Sequence, residues 1–224
     1  MKTIKLLSLL LVSTLVFTSC NNDDDGPGAY GPVLDFKVYD LAEKSASGVS
    51  GDATFNEQED GSVQLILEVS GTSSGNMHPA HIHMNSAVEG GGIIVSLEPV
   101  DGDTGLSITN FTSLDDGTPI SFDDVEDLDA YINVHLSADD LGTIVAQGDI
   151  GQNELTGESK SYDLNEKDVD GISGTVLFEE RLSGEALATI SLMGTPDGGE
   201  HPAHIHANSA SEGGGILYTF NPVN

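Results

Sequence analysis

Seven histidines carry most of the chemistry open to this 224-residue chain, and they fall into a repeated pattern. His78-x-x-His81-x-His83 recurs as His201-x-x-His204-x-His206, and His135 stands between the two. Neutral imidazoles suit Cu, Zn or Ni, and the Irving-Williams order favours copper. On a strand, His81 and His83 share one face and lie about 6–7 Å apart, because successive side chains alternate. If Ile82 faces the core, both rings stand on the opposite face. In Tyr131-Ile132-Asn133-Val134-His135 the inward phase belongs to Ile132 and Val134, which turns His135 outward as well. The expected metal ligands are therefore His81, His83 and His135, with His204 and His206 in the second pattern, and the expected ion is copper or zinc. His78 and His201 are additional candidates, although Pro79 and Pro202 break the strand phase beside them, which favours a structural role for these two rings. Met77 and Met84 flank the first pattern, but Glu200 and Ala207 replace them in the second, so sulfur ligation is not expected.

The elements that must hold these rings read as strands. Val63 to Val69, Ala80 to His83 and Tyr131 to His135 alternate with a period of two, and Ile93 to Leu97 and Thr143 to Gln147 each follow glycine. One short helix or turn is expected over Asp123 to Ala130, capped by Asp123 or Asp124. Many short strands between Gly, Asp and Asn turns imply an all-β chain, an antiparallel Greek-key or immunoglobulin-like β-sandwich.

Repetition sets the domain plan. Residues 39–101 align with 162–224 at a constant shift of 123 without a gap, and close to half of the pairs are identical. The plan is two tandem copies, the second incomplete: domain 1 over 33–155 and the first half of domain 2 over 156–224. The second copy is read as truncated, with completion of a sheet by the first copy as the alternative. Ahead of them, Lys2 and Lys5 precede the apolar run Leu6 to Phe17, a pattern for export that is short for a bilayer span. Residues 1–19 are the expected signal peptide, and Phe17-Thr18-Ser19-Cys20 resembles a lipoprotein box in which Cys20 takes the lipid. Residues 20–32 form an acidic, Gly/Pro-rich tether. The acidic Asn21 to Asp25 stretch resembles the signal that sends some lipoproteins to the outer membrane and the cell surface, which is the expected location.

With 37 acidic against 7 basic residues and a net charge of -30, the chain lacks the cations that phosphate backbones require, so nucleic acid is excluded as a partner. The expected membrane contact is the lipid anchor, with a protein or matrix partner unidentified. A single cysteine leaves no internal disulfide or thiolate cluster. No nucleophile elbow, P-loop or dinucleotide fingerprint is present, and no catalytic residue is assigned.

The histidine strands, their glycine-rich turn and Gly142-Thr143-Ile144 together resemble the CHRD domain, named for chordin and found in exported bacterial proteins. The resemblance covers about Val49 to Ile150 completely and Ile172 to Asn224 for its first half. It implies a Greek-key or immunoglobulin-like fold and an extracellular place, without an agreed activity. The family's usual basic residue after the Gly-x-Ile turn is replaced by Val145 and Ala146. The histidine spacing is also similar to the copper ligands of Cu,Zn superoxide dismutases, which implies the same triad, His81, His83 and His135. Against a dismutase, no histidine lies between His83 and His135 for the bridging and zinc ligands, and the chain's negative charge repels an anionic substrate. The expected function is a binding or structural module rather than an enzyme. A copper-dependent dismutase is one alternative. A calcium-stabilised adhesion module using Asp101-Gly102-Asp103 is the other. Glu89 and Glu212 are read as groups that orient a neighbouring imidazole.

Overall fold

The computed structural model describes residues 32–224. The expected signal peptide, the lipidated Cys20 and all of the tether except Pro32 lie outside the described residues. Among those described, no helix is long and apolar enough to cross a membrane.

Residues 33–151 fold from β1 (Val33–Glu43), β2 (Ser50–Gln58), β3 (Val63–Ser70), β4 (Met77–His78), β5 (Ala80–Met84), β6 (Ile93–Ser96), β7 (Val100–Asp101), β8 (Leu106–Phe111), α1 (Phe122–Glu126), β9 (Asp129–Ser137) and β10 (Asp140–Gly151). Their ten strands form one curled sheet in the order β4-β7-β8-β3-β2-β1-β10-β9-β5-β6, with antiparallel neighbours. β1 joins the two layers, because its first part pairs with β2 whereas Ala42 and Glu43 pair with β10. Pro79 links β4, at one end of the sheet, to β5, the strand next to the other end. Its carbonyl accepts the His135 N–H at 2.8 Å. This is a sandwich-like all-β fold.

Alternation decides what the layers enclose. Leu41, Phe55, Leu65, Leu67, Ile82, Ile132, Val134 and Ile150 are fully buried, each contributing on the order of 1.5–3 kcal/mol from burial. Tyr39 meets Phe55 edge to face at 5.8 Å. The expected strands are present, but the helix is shorter than expected. It ends at Glu126, and Asp129 and Ala130 start β9. Ser121 caps it rather than Asp123 or Asp124. The Asp124 carboxylate accepts from the Ser121 N–H at 2.8 Å and hydroxyl at 2.6 Å. Val125 anchors this single turn in the core.

The remaining residues form β11 (Leu155–Leu164), β12 (Ser173–Arg181), β13 (Ala186–Met193), β14 (His204–His206) and β15 (Ile216–Thr219). β12, β13 and β15 begin and end where β2, β3 and β6 do, 123 residues later. β11-β12-β13 form one antiparallel sheet and β14-β15 another. Strands equivalent to β9 and β10 are not among residues 155–224. Arg181 at the end of β12 ties this strand to β10 and the turn after it. Its guanidinium is buried, donates to Asp149 at 2.8 Å and to Asn153 at 3.1 Å, and occupies the position that Gln58 holds at the end of β2.

Candidate metal centre

β5 and β9 run antiparallel with His81 opposite Asn133 and His83 opposite Tyr131, so Ile82 and Ile132 face the core together. The residues in between turn to the other face. There His81, His83 and His135 each offer one ring nitrogen to a group whose atoms lie within 4.8 Å of one another. His81 Nδ1 is 3.0 Å from His135 Nε2. Ring centroids are 5.0 Å apart for His81 and His135, 5.8 Å for His81 and His83, and 6.3 Å for His83 and His135.

Backbone carbonyls set the state of two rings. A carbonyl only accepts, so His135 Nδ1 carries the hydrogen given to Leu141 O at 2.8 Å, and His83 Nδ1 the one given to Gly91 O at 3.0 Å. Both Nε2 atoms are then lone pairs, the form that binds a metal. Carbonyl support of this kind orients imidazole ligands. The carbonyls come from defined elements. Leu141 lies where the β9–β10 register shifts between Asp140 and Ile144, a type of irregularity that re-aims groups at sites.

Gly91 sits in the β5–β6 loop, braced by Asn85 at φ 67° donating to Gly90 O and by Glu89 accepting from the Ser86 N–H and hydroxyl. Tyr131 closes the circuit. Its ring stacks on His83 at 5.0 Å, and its hydroxyl accepts the Gly91 N–H at 3.2 Å.

The rings lie on the non-core face as alternation requires, yet His83 and His135 are buried. Burial lowers the pKa of His135, partly opposed by its bond to Leu141 and reinforced by His83. Burial also lowers that of His81, with added repulsion from His135 and His83 and a small opposing effect of Asp115. Both favour the neutral form. His83 Nε2 is buried with no hydrogen-bond partner, a state that costs roughly 1–3 kcal/mol unless something binds it. His81, His83 and His135 would hold such an ion, and neutral imidazole nitrogens suit zinc or copper.

The other expected ligands stand elsewhere. His78 is buried with Nδ1 3.1 Å from His135 O and lies outside the group of three. Its Nε2 is also unpartnered. His204 and His206 keep the pair geometry at 5.8 Å, and His206 Nδ1 meets Gly214 O at 2.9 Å as His83 meets Gly91. Both are exposed, and no third imidazole joins them among the described residues. His201 lies beside Val223 through a backbone bridge.

Glu89 and Glu212 bind Ser86 and Ser209 rather than an imidazole, so the expected orienting role passes to carbonyls. They act one step back, by bracing the loop that carries the carbonyl. Asp101 accepts from the Asp103 and Thr104 N–H groups, and Asp103 from Ser74 and Gly75, so these carboxylates fasten turns. Tyr131 and the Gly91 and Leu141 carbonyls were missed from sequence, since backbone acceptors leave no signature in residue type.

The CHRD domain model matches from Tyr39 in β1 to Gln147 in β10, enclosing all three histidines of the group. Comparison with curated proteins and with solved structures gave no match. Residues 39–147 of this chain are a CHRD domain.

Proposed function

We propose that this CHRD domain is a binding module that holds one divalent transition metal through His81, His83 and His135. The buried, unpartnered Nε2 of His83 carries this reading, because it points to a partner beyond the protein's own donors. Three imidazoles suit zinc and copper, with copper the tighter of the two. Three protein ligands would leave a coordination position for water or a further ligand, and His81 is the least buried of the three. Metal-free chain titrated calorimetrically with Zn(II), then with Cu(II), should take up one tight equivalent that His81→Ala removes. Equal uptake by His81→Ala would refute the assignment.

The mature chain acts at the cell surface, tethered by lipid on Cys20. Lys2, Lys5, the apolar run and the residues before Cys20 support this reading. Cys20→Ala should release the protein from the membrane fraction and abolish labelling by a palmitate analogue.

A further inference from the structure

The carbonyls that fix two rings of the group also decide the third. His135 Nδ1 gives its hydrogen to Leu141 O, so in the neutral ring Nε2 is a bare lone pair. His81 Nδ1 stands 3.0 Å from that lone pair. Two lone pairs repel, so the contact needs a hydrogen, and His81 Nδ1 is the atom that must carry it. Burial favours the neutral form of both rings, which leaves His81 Nε2 bare. In the metal-free chain, His81 is therefore latched onto His135 by an imidazole–imidazole hydrogen bond. To serve as a ligand through the same nitrogen, His81 must clear Nδ1. Nδ1 then gives its proton to water and Nε2 takes one from water, so the charge of the ring does not change.

The exchange creates a donor at His81 Nε2. Ligand imidazoles ordinarily give this other N–H to a carboxylate, a carbonyl or water. Gly91 O and Leu141 O serve His83 and His135 in this way, whereas His81 has no such partner among the described residues. Asp115 supplies one. Ser96 stands directly opposite His81 in the β5–β6 pairing, where side chains on one face lie about 4.5–5.5 Å apart. Its N–H and hydroxyl donate to the Asp115 carboxylate at 3.0 and 2.8 Å. The Asp115 N–H donates to Ile94 O at 2.9 Å, which pins the loop before α1 to the β6 edge. Asp115 Oδ1 receives only a 3.2 Å contact from the Ser96 N–H, so it keeps lone pairs for a further donor. Asp115 also acts on the His81 ring as an opposite charge.

We propose that His81 moves its hydrogen from Nδ1 to Nε2 on becoming a ligand, and that Asp115 accepts it there and positions the ring. The latch in the metal-free chain stands on its own, whereas the exchange rests on the metal reading above.

The test reads imidazole nitrogens by NMR on the nitrogen-15-labelled full chain at mildly alkaline pH, first metal-free and then with zinc alone. The expected result is His81 protonated at Nδ1 without metal and at Nε2 with zinc bound. Asp115→Asn keeps an oxygen for Ser96 and should leave the metal-free spectrum of His81 unchanged, which shows that the variant folds. Its zinc affinity should fall at least tenfold, its His81 Nε2–H should exchange with solvent faster than in the wild type, and Asp115→Glu should recover part of both. His81 protonated at Nε2 without metal would overturn the latch and the proposal with it. Zinc bound while His81 keeps its Nδ1 hydrogen overturns the exchange. Unchanged affinity in Asp115→Asn overturns the role of Asp115 alone, as does a zinc-loaded wild type whose Nε2–H exchanges as fast as that of an exposed imidazole. Zinc left unbound by a chain whose His81 carries the Nδ1 hydrogen overturns the metal reading and the exchange, and leaves the latch standing.

Discussion

At the residue scale, the metal reading depends on keeping three rings neutral in a confined space. His81 and His135 have lowered pKa values, chiefly from burial. The unfolded chain therefore binds more protons than the folded chain as pH falls below about 6.5, the ordinary histidine value. The contribution to metal-free stability is complete above that pH and is lost as pH falls through the lowered folded-state values. Urea midpoints of metal-free protein at pH 7.5, 6 and 5 should drop on acidification, and His135→Gln should drop less. Identical slopes would contradict the assignment. The three ligands were legible because Ile82, Ile132 and Val134 mark the inward phase. The burial of His83 and His135 was not legible, since alternation gives the face and not what lies over it.

At the element scale, the β5–β6 loop transmits position to His83. A Cβ built on Gly91 would stand 2.0 Å from the Met84 carbonyl and 2.6 Å from Met84 Cγ, so only glycine fits. Gly91→Ala must displace the loop and draw its carbonyl away from Nδ1. Calorimetric titration should show zinc affinity reduced roughly 10- to 100-fold, the usual effect of losing such support. Unchanged affinity would separate the loop from the site. The triple glycine announced a turn, but its use as a carbonyl mount depends on Tyr131, forty residues distant in sequence. The helix boundary failed for a related reason. The apolar residues at 125 and 128 suggested continuation, yet Asp129 and Ala130 are needed in β9 beside β5 and β10.

At the scale of the whole molecule, the buried Arg181 ties the end of β12 to β10 and the turn that follows it. Removing Arg181 leaves the largely buried Asp149 without its counter-charge, and breaking such a pair costs roughly 3–5 kcal/mol. Arg181→Ala should therefore lower the unfolding midpoint in guanidinium and expose the 154–155 link to protease. A wild-type midpoint would assign the joint to other contacts. The half-buried pair of Lys37 and Glu154, 2.7 Å apart, lies near the surface and contributes on the order of 1 kcal/mol. The role of Arg181 was not legible in the sequence, because the residue 123 positions earlier, at the end of β2, is Gln58.

All of this positions three imidazoles, and X-ray absorption on zinc-loaded chain reads their coordination directly. The account predicts three imidazole nitrogens at about 2.0–2.1 Å, falling to two in His135→Ala. A first shell of oxygens, or a spectrum unaltered by that substitution, would contradict it.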